Sequence, residues 1–257
     1  DYSTSYATDL CHLINSMTNL KQLSLGLKVN VPQAMLAPTF ARLERFSTET
    51  KDPSTALRLL GPQCTHVSCK LRDLKVDSLR RRHRLMAQLT HLRFDSGLVR
   101  RHTLITHPYP LFQLATSLQV LDIDSNMQTD TLIALSRLPQ LTELRIQYTH
   151  GLDLSSLDQT RLQPCMGVRV LRLSFLPLYD EDGPDVAMAR TCHIMSFLFP
   201  ALEELYIKSL YYRVDITPHL HLLPNLRKYQ IPKKNVNDLI LSVFLDADVR
   251  CSMLITL

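Results

Sequence analysis

The chain has 257 residues, 45% of them hydrophobic and 21% charged, so it can bury a domain-sized core and is not a disordered segment. Its formal net charge of +5 is small for this length, which argues against a dedicated nucleic-acid binder with a concentrated positive field. Six cysteines are too few for a disulfide-stapled secreted scaffold, and six glycines leave little material for a phosphate-binding loop.

The sequence shows no point at which two domains would separate, because its glycines and prolines form no linker-like tract. We therefore expect residues 1–257 to form a single domain, and the missing initiator methionine suggests a fragment of a longer protein. No segment resembles a signal peptide. No apolar stretch reaches the length of about 18 residues that is needed to span a membrane. We expect an intracellular protein, cytoplasmic or nuclear, without a membrane segment.

An apolar triplet at positions i, i+3 and i+5 recurs nine times, with successive triplets beginning 18 to 34 residues apart. Its last two members have the spacing of a strand with one buried face, and the whole pattern fits neither one helix nor one long strand. Each triplet is therefore predicted to be a short strand. The triplets are Leu20-Leu23-Leu25, Leu43-Phe46-Thr48, Leu71-Leu74-Val76, Leu89-Leu92-Phe94, Leu118-Leu121-Ile123, Leu141-Leu144-Ile146, Val168-Leu171-Leu173, Leu202-Leu205-Ile207 and Leu226-Tyr229-Ile231.

Apolar residues at helical spacing precede several triplets, as Leu132, Leu135 and Leu138 do before the sixth. A proline two residues ahead of three of the triplets would end such a helix and return the chain to extended geometry. We therefore expect short helices and strands to alternate, with parallel strands joined by right-handed crossovers. These prolines are Pro139, Pro200 and Pro224.

The triplets resemble the leucine-rich-repeat family, whose unit begins Leu-x-x-Leu-x-Leu. Residues 118–126 (LQVLDIDSN) match the longer family motif that ends in asparagine, whereas the other eight repeats lack that asparagine. The resemblance covers residues 10–235, and the variable, helix-containing repeats are most similar to those of F-box-associated and ribonuclease-inhibitor-like proteins. It implies an α/β solenoid, a horseshoe of about nine repeats with a parallel concave sheet and outer helices. An ordinary α/β domain with several leucine-rich strands is the alternative.

In such a solenoid the residues within and just after each triplet face the concave side, where they would form a basic row beside an acidic row. The rows are either a partner-binding surface or exposed ion pairs that keep the sheet solvated. The acidic row would contain Glu49, Asp77, Asp95 and Asp124. The row within the triplets would contain Lys75, Arg93, Asp122, Arg145, Arg172 and Tyr206.

Tyr206 is the best aromatic anchor for a partner, and a tyrosine packed at the edge of the solenoid is the alternative. A surface of mixed sign suits a protein better than a nucleic-acid backbone. We therefore predict a protein-interaction scaffold that binds a partner on its concave face, as the substrate-receptor part of an F-box-type ubiquitin ligase would. The predicted binding residues are Lys75, Arg93, Asp95, Asp122, Asp124, Arg145, Arg172 and Tyr206.

The run Arg80-Arg81-Arg82-His83-Arg84 is the most basic segment of the chain. It is either a solvated charged face or a contact for nucleic acid or a nuclear-import receptor. A nucleic-acid-associated solenoid that uses this run is therefore the alternative function.

Catalytic motifs are missing from the sequence, including the phosphate-binding loops, the nucleophile elbow and the HExxH zinc motif. We predict no enzymatic activity, no cofactor and no metal. Cys64, His66 and Cys69 could contribute zinc ligands, but their spacing is wide and a fourth ligand is lacking, so buried reduced thiols are expected. The acidic segment 180–185 lacks the alternating ligands of a calcium loop and is interpreted as an exposed loop.

The C-terminal segment also carries apolar residues at helical spacing. They predict a terminal helix over residues 236–249 that would cover the last repeat, with a short tenth strand at residues 253–257. The residues that carry this pattern are Val236, Leu239, Ile240, Val243 and Phe244.

Overall fold

The computed structural model divides into two compact units, Asp1–Leu118 and Gln119–Leu257. Both units are of the α/β class, with short parallel strands separated by helices and turns. The residues that the structure describes are 9–10, 12–25, 40–48, 60–70, 83–95, 112, 114–124, 129–146, 159–173, 184–207, 217–232, 240–246 and 249–256.

The first unit contains four parallel strands, each paired with the next along the chain. Residues 9–10 and 12–16 ahead of the first strand are helical, as their apolar spacing predicts. A short helix, α1 (His83–Gln88), precedes the fourth strand. The strands are β1 (Gln22–Leu25), β2 (Arg45–Thr48), β3 (His66–Lys70) and β4 (His91–Asp95).

The second unit contains five parallel strands in chain order. They are β5 (Val120–Asp124), β6 (Glu143–Ile146), β7 (Val170–Leu173), β8 (Glu204–Ile207) and β9 (Lys228–Pro232). The connections carry α2 (Thr129–Leu135), a 3₁₀ turn (Gln159–Arg161), α3 (Pro184–Leu198) and a 3₁₀ helix (Thr217–Leu222). None of the helices among the described residues is long and apolar enough to cross a membrane.

One backbone hydrogen bond recurs in all nine repeats: the N–H of the first triplet residue donates to the carbonyl three residues earlier. In the third repeat this donor is Cys64, which bonds the Gly61 carbonyl at 3.2 Å. The third triplet is therefore Cys64-Val67-Cys69, within and just before β3, and its predicted position at residues 71–76 was wrong. A cysteine behaves in a core as a small apolar residue, so it can take a place that a leucine template does not recognise.

A second repeated contact joins neighbouring strands within each unit. The carbonyl of Thr142 accepts from the N–H groups of Arg169 at 2.9 Å and Val170 at 3.0 Å. The same two-donor arrangement recurs from Lys21 through Thr65 in the first unit and from Gln119 through Glu203 in the second. These two sets of backbone hydrogen bonds recur at equivalent residues of the repeats. Neighbouring strands within each unit therefore begin to pair at equivalent positions.

Most of the described triplet side chains are buried and form the core, as predicted, whereas those of the first triplet, Leu20, Leu23 and Leu25, are half-buried. Leu121, Leu144, Leu171 and Leu205 are fully buried in the second unit, and buried side chains of α2 and α3 add to the same core. The residues between them on each strand are more accessible, because successive side chains of a strand point to opposite faces. One face of β6, β7 and β8 is thus buried and the other is accessible.

The predicted C-terminal helix is wrong. Residues 240–256 instead form two antiparallel strands, β10 (Ile240–Asp246) and β11 (Val249–Thr256), and β10 pairs antiparallel with β9. A nearly continuous apolar run such as ILSVFL fits a strand as well as a helix, and its branched residues favour the strand. Pairing with β9 also satisfies backbone groups that an edge strand would leave open. Residues 253–256 therefore belong to a hairpin and not to a tenth parallel repeat.

Candidate partner-binding surface

Strand pairing in the second unit assembles two neighbouring rows of side chains on the accessible face. Arg145 of β6 lies opposite Asp122 of β5 and Arg172 of β7, and Arg172 lies opposite Tyr206 of β8. A parallel row stands two residues earlier on each strand and shares the same face. We call the ten residues of both rows the second-unit face. They are Val120, Asp122, Glu143, Arg145, Val170, Arg172, Glu204, Tyr206, Lys228 and Gln230.

Glu143 is the hub of this face. Its Oε1 accepts hydrogen bonds from the Nε of Arg145 at 2.8 Å and from the Nε of Arg172 at 2.5 Å. Burial by itself would raise the pKa of Glu143, but the two guanidinium groups outweigh it and hold the pKa below the ordinary value. Since only 17% of the Glu143 side chain is exposed, this carboxylate serves mainly to hold two arginines from adjacent strands in place.

Arg145 is correspondingly held in its cationic form. The hydrogen bond to Glu143 raises the pKa of Arg145, and the charges of Glu143 and Asp122 raise it further. Asp122 is 6% exposed, so this predicted binding residue contributes charge beneath the surface and little contact area.

Tyr206 stands between two cations on the flanking strands. The guanidinium carbon of Arg172 lies 4.0 Å from its ring centroid, and the Nζ of Lys228 lies 5.1 Å from it. The Tyr206 hydroxyl donates to the Oε2 of Glu204, and Lys228 is 3.9 Å from the same oxygen. Cation–π contacts of this kind stabilise by about 0.5 to 1 kcal/mol where water has access. The ring is therefore held by contacts from three strands.

Among the described side chains, the acidic partners of the basic row are two glutamates outside the predicted acidic row. The structure uses Glu143 and Glu204, which precede the row by two residues, whereas Asp95 and Asp124 end β4 and β5. The side chains of Asp95 and Asp124, together with Glu49, Lys75 and Asp77, lie outside the described residues. The sequence could have identified Glu143 and Glu204, because residues i and i+2 of a strand share a face and these glutamates stand two residues before Arg145 and Tyr206.

The remaining predicted residues fall in the first unit. Arg93 of β4 lies in one register with Ser68, Ser47 and Ser24, and Ser68 occupies the position that had been assigned to Lys75. In the basic run only residues 83–84 are described, and Arg84 is exposed on α1. Of the predicted binding residues whose side chains are described, Arg93 lies in the first unit, and Asp122, Arg145, Arg172 and Tyr206 lie in the second.

Cys64 and Cys69 do not form a joint site with His66. Both are buried free thiols, as predicted, and burial raises their pKa to about 11 and about 12. His66 lies on the opposite, accessible face of β3. Across the described part of the chain, no group of three or more potential metal ligands comes together.

Neither a scan against protein-family models nor a search of the curated proteins finds a match to the chain.

Proposed function

We propose that this protein is a leucine-rich-repeat interaction scaffold that binds a protein partner on the second-unit face. The main support is the chain of contacts that joins Glu143, Arg172 and Tyr206 on three adjacent strands. Arg172 donates a hydrogen bond to Glu143, and its guanidinium lies over the ring of Tyr206. Repeated strand-and-turn units with a common hydrogen-bond pattern support the repeat assignment.

Preorganisation favours binding over a purely solubilising role. Long arginine side chains lose rotamer freedom when a partner immobilises them, at a cost of about 0.5 to 1.5 kcal/mol each. On this face Arg145 and Arg172 are already held by Glu143, so part of that cost is met during folding. Tyrosine and arginine are also the residue types enriched among the dominant contacts of protein interfaces.

The charge pattern favours a polypeptide partner. The second-unit face carries three acidic side chains, Asp122, Glu143 and Glu204, and three basic ones, Arg145, Arg172 and Lys228. A nucleic-acid backbone would meet unfavourable carboxylates on such a surface, whereas a protein can present both signs in complementary positions.

The finer proposal is that the scaffold is the substrate-receptor part of an F-box-type ubiquitin ligase. Its support is the resemblance of the variable, helix-containing repeats to those of F-box-associated proteins, in which the repeats present a substrate to an attached catalytic assembly. A pull-down of the full-length gene product with a purified cullin adaptor tests this version. Failure to bind the adaptor would remove the ligase role and leave the scaffold proposal intact.

The scaffold proposal is tested by site-specific photocrosslinking. A photoreactive phenylalanine at Tyr206 should capture a defined partner, while the same group at Arg190, which is exposed on α3, should not. With the purified partner, Arg172→Gln should weaken binding at least about tenfold, because Tyr206 and Glu143 both lose a contact. Arg169→Gln, an equal charge change at an exposed position outside the rows, is the matched control.

Equal crosslinking from both positions, or equal loss of affinity in both arginine variants, would refute docking on the second-unit face. Tight, steeply salt-dependent binding of an oligonucleotide in place of a protein would favour the alternative nucleic-acid function.

A further inference from the structure

The accessible strand face of the first unit differs in chemistry from that of the second. The eight positions of this face whose side chains are described carry guanidinium, imidazole, hydroxyl and amide groups. We call these residues the first-unit face. They are Gln22, Ser24, Arg45, Ser47, His66, Ser68, His91 and Arg93.

Strand register brings the donors of this face together. Arg45 of β2 lies opposite His66 of β3, and His66 lies opposite His91 of β4. In the adjacent row Ser47 and Ser68 lie opposite each other, one strand spacing of about 4.8 Å apart. The centre of the face is thus a small area where a guanidinium, an imidazole and two hydroxyls from two adjacent strands share one side of the sheet.

The two histidines are held in a defined geometry. Their rings stack with centroids 3.9 Å apart and planes 13° from parallel. The hydroxyl of Thr65 lies 2.8 Å from Nδ1 of His66, and that of Thr90 lies 2.9 Å from Nδ1 of His91. The Thr90 hydroxyl also donates to the Thr65 carbonyl at 3.3 Å, which ties the His91 side of the stack to the neighbouring strand.

The described charged neighbours of His66 are cationic. Burial, then the charges of His91 and Arg45, lower the pKa of His66. From β2 the facing charged group is Arg45, and from β4 the facing groups are His91 and Arg93. An anion placed against these groups would offset their mutual repulsion and favour the charged imidazole.

We propose that the first-unit face binds a phosphorylated segment of a partner polypeptide, with the phosphate monoester held by Arg45, His66 and the hydroxyls of Ser47 and Ser68. A phosphate monoester brings a charge near −2 and three acceptor oxygens, which suits a cluster of several donors better than the single charge of a carboxylate. Arginine also binds phosphate oxygens in a bidentate manner. The inference goes beyond the proposed function, since it concerns another surface and another recognition chemistry.

A nucleic acid fits this face less well. Its phosphates are single charges repeated along a backbone, and it is bound best by a long positive track. Here the donors are concentrated on β2, β3 and β4, and the described positions of β1 carry only Gln22 and Ser24. A compact doubly charged group matches that distribution.

The experiment is a titration of the full chain, labelled with ¹³C at histidine, with two blocked pentapeptides that differ only at the central residue, phosphoserine or glutamate. The imidazole signals are assigned with His66→Gln and His91→Gln variants. We expect the phosphopeptide to shift the signals of His66 and His91 in a saturable manner and to bind at least about tenfold more tightly than the glutamate peptide. Its affinity should rise severalfold as the pH falls from 8 to 6.5, because binding takes up a proton on an imidazole.

Matched variants localise the site. Arg45→Gln should weaken the phosphopeptide at least about tenfold, whereas Arg42→Gln, the same change in the turn ahead of β2, should leave its affinity unchanged. Arg172→Gln on the second-unit face should also have no effect, so this inference and the proposed function can fail separately. Circular dichroism spectra like that of the unmodified chain would show that each variant is folded.

Three results would overturn the inference: equal affinity for the two peptides, equal losses in Arg45→Gln and Arg42→Gln, or histidine signals that do not move at millimolar phosphopeptide. Tighter binding of an oligonucleotide of equal charge would show that the first-unit face binds a nucleic acid and not a phosphorylated polypeptide.

Discussion

Removing the charge of Glu143 tests whether the second-unit face is held together as described. Glu143→Gln keeps the shape of the side chain but removes the charge that two guanidinium groups share. The arginine side chains are 41% and 42% exposed, so each bond is discounted for solvent to about 0.5 to 1 kcal/mol. The expected loss in the free energy of unfolding is therefore about 1 to 2 kcal/mol, measured from the midpoint of urea unfolding followed by circular dichroism.

The matched control is Glu203→Gln, because Glu203 meets Arg169 at 3.5 Å and that arginine is 63% exposed. Its loss should stay below about 0.5 kcal/mol. The difference between the unmodified chain and Glu143→Gln should also depend on pH. Since the pKa of Glu143 is lower in the folded chain than its ordinary value of 4.5, its stabilisation is present above about pH 4.5 and disappears as the pH falls through the folded value. Equal losses in the two glutamine variants, or a difference that persists at the lowest pH, would contradict the hub assignment.

Three further perturbations test the core and the turns. Leu144→Ala should cost about 2 to 5 kcal/mol in urea unfolding, because the leucine is fully buried, and a loss below 1 kcal/mol would show that it does not fill the core. Gly167→Ala should destabilise by about 1 to 3 kcal/mol, since the added Cβ would lie 2.6 Å from the Leu141 carbonyl oxygen; a neutral effect in thermal unfolding would exclude this close approach. Four thiols should react with a thiol reagent at pH 8 only after unfolding, because burial raises the pKa of each well above 8, and rapid labelling of the native chain would contradict their burial. These thiols are Cys64, Cys69, Cys165 and Cys192.

Local patterns were sufficient to predict most of the strands. Leu144 and Ile146 of β6, and Leu141 just before it, are buried. A strand in this sheet has one buried face, so the spacing of the apolar residues in the sequence reflects that burial directly. The turn ahead of β6 was equally local, since Pro139 follows the helix that precedes the strand. The third repeat was misplaced because Cys64 and Cys69 fill core positions, whereas the sequence pattern assigned those positions to the nearby Leu71 and Val76.

The C-terminal segment shows where a periodic pattern stops being informative. An apolar run near Ile240 satisfies helix and strand alike, and the choice depends on the open edge of β9, which only the folded chain presents.

The candidate surfaces depended still more on tertiary structure. The sequence alone placed Arg145, Arg172 and Tyr206 on one face, because their positions within the triplets repeat. It did not reveal that Glu143 joins Arg145, two residues away, to Arg172, 29 residues away, or that His66 stacks on His91. Such contacts form between strands and are set by the pairing register, which local periodicity constrains within one strand but not across two.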